Sequence, residues 1–194
     1  LDAQCHFEVV PKACSKNVST ILEKRGFYPS GFHTVLYGIP NPTAQISNSK
    51  IEAREILPGE MPIFSDLYMH YMGNLNIPER LIEQARINVL NQHPLPGWRL
   101  YIATIDGIPA AFAELCVNAS IGSLAGAATL PQFRRQGCQT ALLLRRIEDA
   151  YADGCDLVVG QATPGSGSQR NMERVGLTTA YMKAIWSRST STTQ

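Results

Sequence analysis

The sequence lacks most of the signatures that would assign it quickly. No apolar run approaches the roughly 18–20 residues that cross a bilayer, and no early stretch joins basic residues to an apolar segment as a secretory leader does, so the expectation is a cytoplasmic protein without a membrane partner. Charge of one sign is also missing: 17 Lys and Arg against 16 Asp and Glu leave a formal net charge of +1. That balance argues against tracking a nucleic-acid backbone. Five cysteines (Cys5, Cys14, Cys116, Cys138, Cys155) form no C-x-x-C pair, and four histidines (His6, His33, His70, His93) have no metal-ligand spacing. Reduced thiols and no metal are therefore expected. No G-x-x-x-x-G-K-[ST] is present, which argues against nucleoside triphosphate hydrolysis, and no G-x-G-x-x-G follows a strand, which argues against a dinucleotide site.

What is present is an ordinary globular composition, 44% hydrophobic and 17% charged, enough for one full domain and part of another. The patterns predict a strand over 5–10, a helix over 15–25 capped by Ser15 and ended by Gly26, and a strand over 32–37. A Pro- and Asn-rich linker follows, then a strand over 51–56. Two helical stretches come next, 63–72 rich in Met and aromatics and 78–92 with Pro78 at its start and Leu81, Ile82, Ala85 and Val89 inward. Strands over 98–105 and 109–117 flank an Asp106-Gly107 hairpin turn. The remainder reads strand 121–130, helix 140–153, a buried and parallel-type strand 155–161, a short helix 169–175 with Ser168 as cap, and a final strand 178–186.

The stretch that organises the chain runs from Leu124 into the helix after Gly137. A strand, a turn carrying Arg134, Arg135, Gln136 and Gly137, and a helix N-terminus converge on one place. The first helical N–H groups lack intrahelical partners and the helix dipole favours negative charge, so this place suits phosphate. Gly137 lets backbone approach a ligand. A solvated basic loop is the bland alternative. Glu114 stands in an otherwise apolar strand, AAFAELCV, where a carboxylate with a raised pKa can accept a proton; an exposed-face residue is the alternative.

Arg134-Arg135-Gln136-Gly137-Cys138-Gln139, with Pro131 and Phe133 before it, resembles the acyl-CoA loop of the GNAT superfamily of N-acyltransferases. Residues 128–131 (ATLP), 137–143 and 164–171 (PGSGSQRN) resemble the C-terminal copy of tandem GNAT proteins. The resemblance spans about residues 50–187. It implies an α/β fold, a mixed and largely antiparallel sheet flanked by helices, and transfer of an acetyl group from acetyl-CoA to a primary amine on a small molecule or peptide. Direct attack in a ternary complex is the implied mechanism. Arg134, Arg135, Gln136, Gly137, Cys138, Gln139 and Thr140 would then hold the pyrophosphate. Backbone groups of Ala127, Ala128 and Thr129 would serve the pantetheine and the carbonyl, and Ser168 and Asn171 the pantetheine arm. Two positions depart from the family pattern: Gln139 replaces a small residue, and Met172 stands where a tyrosine usually acts as general acid. Tyr181 is the substitute candidate for that acid, Glu114 the candidate base. Phe64, Tyr68, Met69, Tyr71 and Met72 are candidates for an acceptor pocket or for core. A covalent role for Cys138 is not expected. A non-catalytic acyl-CoA sensor and a structural pseudo-domain are the rival readings.

Leu22-Glu23-Lys24-Arg25-Gly26-Phe27 echoes Met172-Glu173-Arg174-Val175-Gly176-Leu177. With the start at Leu1 rather than Met, the expected organisation is a degenerate, partial first copy plus linker over 1–45, the GNAT domain over 46–187 and a tail over 188–194. Split-sheet edges make a homodimer an expectation.

Overall fold

The computed structural model describes residues 5–13, 15–42, 48–73, 79–92 and 95–188; Cys14, Pro78, His93, part of the linker and the last six residues lie outside them. Its elements are β1 (His6–Val9), α1 (Lys16–Lys24), β2 (Phe27–Gly38), β3 (Ile51–Glu55), α2 (Met61–Gly73), α3 (Glu79–Gln92), β4 (Trp98–Ile105), β5 (Ile108–Asn118), β6 (Ile121–Thr129), α4 (Cys138–Ala152), β7 (Leu157–Ala162), α5 (Gly167–Arg174) and β8 (Thr178–Arg188). The strands form one sheet in the order β1-β8-β2-β7-β6-β5-β4-β3. Among the described strands only β6 and β7 pair in parallel; the other neighbours are antiparallel. The expected mixed, largely antiparallel α/β sheet is therefore observed.

Local chemistry accounts for the element ends. The Val18 N–H donates to Ser15 Oγ at 3.3 Å, capping α1, as expected of a serine there. Asp106 and Gly107 both take positive φ, 49° and 79°, the two-residue turn that matches strand twist. Four expectations shift. Strand β2 starts at Phe27 rather than 32, because bulging around Ser30 accommodates Pro29 and Gly31 within the pairing. Helix α4 starts at Cys138, two residues before the expected Thr140, because Gly137 at φ 107° supplies the left-handed entry. Ser166, not Ser168, caps α5, accepting from the Gln169 N–H at 3.2 Å. Leu81 is exposed, while Ala85 and Val89 face inward.

Helices cover both faces of the sheet. Leu142, Leu143 and Ile147 of α4 pack on Tyr101, Ala113, Leu115 and Val158. On the other face Phe64 and Leu67 of α2 and Val89 of α3 pack on Leu100, Ile102 and Phe112. Full burial of each such side chain contributes about 1.5–3 kcal/mol. Helix α4 is also held through charge: Arg99 on β4 reaches Glu55 at 2.8 Å, Asp149 at 3.2 Å and Asp153 at 3.0 Å, and the Tyr101 hydroxyl donates to Asp149 at 2.8 Å.

Strand β2 lies between β7 and β8, so the N-terminal residues share the sheet with everything else. The β2–β8 pairing has an approximate two-fold symmetry. Tyr28↔Ser187 is mirrored by Tyr37↔Thr178, Pro29↔Trp186 by Leu36↔Thr179, and Phe32↔Ala184 by Thr34↔Met182. His33↔Lys183 sits at the centre, and the two register shifts, at Ser30 and Ala180, are images of each other. The same relation carries Gly26 onto Gly176 and the β1–β8 pairing onto β7–β2. The echo between residues 22–27 and 172–177 is thus a structural one.

Candidate functional site

Strands β6 and β7 pair from Ile121↔Leu157 only as far as Leu124↔Gly160. Beyond that point β7 continues against β2 at Gln161 and Ala162, while β6 runs on to Thr129 against β5. The sheet is therefore splayed beside residues 125–129, and a cavity of about 670 Å3 opens there. It is lined by Ala127, Ala128 and Thr129 from the splayed strand, by Arg134, Arg135, Gly137, Cys138, Gln139 and Thr140 from the turn and first turn of α4, and by Ser168 and Asn171 from α5. Those expected site residues are brought together. Gln136 sits in the same turn without lining the cavity; its carbonyl accepts from Asn48 Nδ2 at 3.3 Å.

Helix α4 begins without a side-chain cap, so its first N–H groups have no capping side-chain acceptor at the cavity wall. Arg135 just before it takes φ 62°, a left-handed conformation costing a non-glycine residue roughly 1–2 kcal/mol. The pair of positive-φ residues, Arg135 and Gly137, shapes a backbone concavity of the kind that holds anions. Cys138 is only 1% exposed, and burial pushes its thiol pKa up; it contributes backbone, not a nucleophile.

Tyr71, one of the candidates for an acceptor pocket, also lines the cavity, whereas sequence reasoning missed Gly167, Arg170 and Arg174. The two arginines, four apart on one short helix, were the available signal. Among the described residues, four arginines and no carboxylate line the cavity.

Gln139, the departure from the family pattern, has a defined role. Its Nε2 donates to Ser168 Oγ at 2.8 Å and its Oε1 accepts from Asn171 Nδ2 at 2.7 Å. The side chain thus ties the first turn of α4 to the first turn of α5. Met172 is buried in the core with its sulfur against Gly160, where a Cβ would lie 3.1 Å from it. Its thioether offers no hydroxyl proton there. Tyr181 is exposed on β8 opposite Val35 and does not line the cavity.

Glu114 lies behind the splayed strand, 5% exposed. A register shift between Ala113 and Leu115 leaves it facing Gly126, whose N–H bonds the carboxylate; a Cβ on Gly126 would stand 2.8 Å from Oε2. Oε1 has no hydrogen-bond partner among the described residues. Burial pushes the carboxyl pKa up to about 7, against smaller opposing effects of the Gly126 N–H and the Arg146 charge. Arg146, fully buried on α4, donates to the Glu114 carbonyl at 2.9 Å and the Leu142 carbonyl at 3.0 Å, fixing the bulge from the far side. Tyr68 of α2 is close enough that the Glu114 charge, after burial, raises its pKa. Of the α2 aromatics, Phe64 and Met69 are core, whereas Tyr71 is exposed toward the cavity.

No protein-family model and no curated sequence matches the chain. Solved structures do. A GCN5-related N-acetyltransferase from Sphaerobacter thermophilus aligns at TM-score 0.74 and 18% identity over 96% of this chain and 60% of its own. A tandem GNAT protein from the clavulanic acid biosynthesis pathway aligns at TM-score 0.62 and 16% identity over 95% of this chain and 62% of its own. AAC(6')-Iy in complex with the bisubstrate analogue CoA-S-monomethyl-acetylneamine aligns at TM-score 0.53 and 18% identity over 66% of this chain and 90% of its own. The fold is the GNAT fold, as the resemblance over about residues 50–187 implied. The chain spans about three fifths of the length of the first two of these proteins.

Proposed function

We propose that the protein is an acetyl-CoA-dependent N-acetyltransferase acting on a primary amine. The observation that carries this is the coincidence of three features: a splayed sheet, a cationic cavity at an uncapped helix N-terminus, and a buried carboxylate with a pKa of about 7 on the adjoining strand. The residues fit the co-substrate. Arg134, Arg135 and the N–H groups of residues 137–140 suit a diphosphate, and the backbone edge of residues 127–129 that β7 leaves, opposite their pairing with β5, suits a pantetheine amide and a thioester carbonyl. Ser168 and Asn171 reach the arm from α5 while bonded to Gln139.

In this reading Glu114, behind the cavity wall, accepts the proton of the incoming ammonium through water. The neutral amine forms an N–C bond to the thioester carbon. The C–S bond breaks, and the thiolate leaves or takes a proton. A carboxylate with pKa near 7 is matched to that first step. The solved complex of AAC(6')-Iy with a CoA bisubstrate analogue supports a ternary arrangement on this fold. We read residues 6–38 as part of a degenerate first copy, an organisation the β2–β8 two-fold supports.

The test follows free thiol on mixing the protein with acetyl-CoA and a panel of polyamines, aminoglycosides and peptide N-termini. Amine-dependent thiol release abolished in Glu114→Gln is the expected result. Tight CoA binding without turnover on any amine would favour the sensor, a reading that Met172 in place of a tyrosine supports. No CoA binding would sink both.

A further inference from the structure

The four arginines of the cavity divide into two pairs. Arg134 and Arg135 flank the turn before α4, whereas Arg170 and Arg174 stand on α5 across the cleft. A diphosphate carries two charges, and the loop pair with the helix N-terminus already matches them. The α5 pair is left over. Two like charges one turn apart on a helix repel, and among the described residues no carboxylate lines the cavity to relieve them.

Both side chains are held in place by one N–H group each. Arg170 Nη1 donates to the Gly165 carbonyl at 2.6 Å, and Arg174 Nη1 donates to Asn171 Oδ1 at 2.9 Å. The rest of each guanidinium remains for an anion. Arg174 is positioned through a relay that begins on α4: Gln139 Oε1 accepts from Asn171 Nδ2, which turns Asn171 Oδ1 toward Arg174. The residue that departs from the family pattern therefore fixes the distance between the two cationic pairs.

We infer that Arg170 and Arg174, oriented through Asn171 and Gln139, form a second anion subsite that reads a phosphate monoester on the ligand whose diphosphate sits at the α4 turn. On the acetyl-CoA reading above, on which this rests, that group is the ribose 3′-phosphate. A monoester carries about −1.5 to −2 charge near pH 7 and three acceptor oxygens, the complement of two arginine forks. The subsite makes the protein discriminate CoA from 3′-dephospho-CoA.

Calorimetric titration with CoA and with 3′-dephospho-CoA at 0.15 M salt tests this. The wild type is expected to prefer CoA by about tenfold or more, the range of charge-assisted bonds. Arg170→Gln/Arg174→Gln should remove the preference while leaving 3′-dephospho-CoA affinity within about twofold, since both residues are exposed and mutations there act on the missing phosphate alone. The Lys/Lys variant should restore part of it. Gln139→Ala should reduce the preference without abolishing binding. Equal wild-type affinities, or a parallel loss of both ligands in the Gln/Gln variant, would overturn the subsite and leave the acetyl-CoA reading standing. Failure of the wild type to bind either ligand would overturn both.

Discussion

Glu114→Gln has a consequence that needs no substrate. The Glu114 carboxyl lies at about 7 in the folded chain against an ordinary 4.5, so between those pH values the folded state holds a proton that the unfolded state has released. Folding stability associated with this group is present below about pH 4.5 and is lost as pH rises through 7. A shift of that size corresponds to roughly 3 kcal/mol at the alkaline end. Gln carries no charge to desolvate and removes the dependence. It also adds a constant offset, because its amide inherits the environment in which Oε1 has no partner among the described residues; such a buried orphan costs about 1–3 kcal/mol. The pH dependence is therefore the cleaner quantity. Urea unfolding of both proteins at pH 5 and pH 8.5 should show the variant gaining, relative to wild type, about 2–3 kcal/mol between the two. A difference that stays flat across that range would refute both the burial argument and the base assigned from it.

In turnover, the same substitution should lower kcat by about 10²–10⁴ and erase a rise in kcat/KM with pH centred near 7, while CoA affinity is unchanged. Arg134→Glu should weaken CoA binding about tenfold or more through charge reversal beside the diphosphate, with an unaltered melting temperature because the side chain is exposed. Tyr71→Phe should slow thiol release whereas Tyr181→Phe should leave it within about twofold, since only Tyr71 lines the cavity; the reverse order would return Tyr181 to candidacy as the acid. Gly97→Ala should destabilise the fold by about 2–4 kcal/mol in thermal or urea unfolding, because φ is 81° and the new Cβ would meet the Val117 carbonyl at 2.1 Å.

Much of the site was legible because it is local. The Asp106-Gly107 turn, the strands beside it and the α4 turn each announce themselves within a dozen residues. Residues that gather at the splay do so because one strand, one turn and one helix start follow each other in sequence. The cap of α5 was harder: Ser168 was expected and Ser166 serves. Both precede an amphipathic segment, and the decision falls to Gly165 at φ 69°, with its N–H donating to Gln169 Oε1 at 2.8 Å. The core of β2, 32–37, was legible as a strand, but its early start and its place in the sheet were not. Its start reads as a turn, FYPSG, and its neighbours lie more than a hundred residues away, where periodicity has no reach. The role of Gln139 escaped for a similar reason: a missing small residue is visible in sequence, its bond to α5 is not.

The interleaving of β2 between β7 and β8 sets an order on folding. Phe27 pairs with Arg188, near opposite ends of the described chain, so this seam closes a loop of most of the molecule and bears the entropy of doing so late. During synthesis β2 precedes both of its partners by more than a hundred residues, with its hydrogen-bonding edges open until β7 and then β8 are made. A chain stopped short of β8 would therefore lack the one partner of β1 among the described strands and one of the two partners of β2, while β3 to β6 would already have theirs. Limited proteolysis of such a truncated product should release the N-terminal segment first.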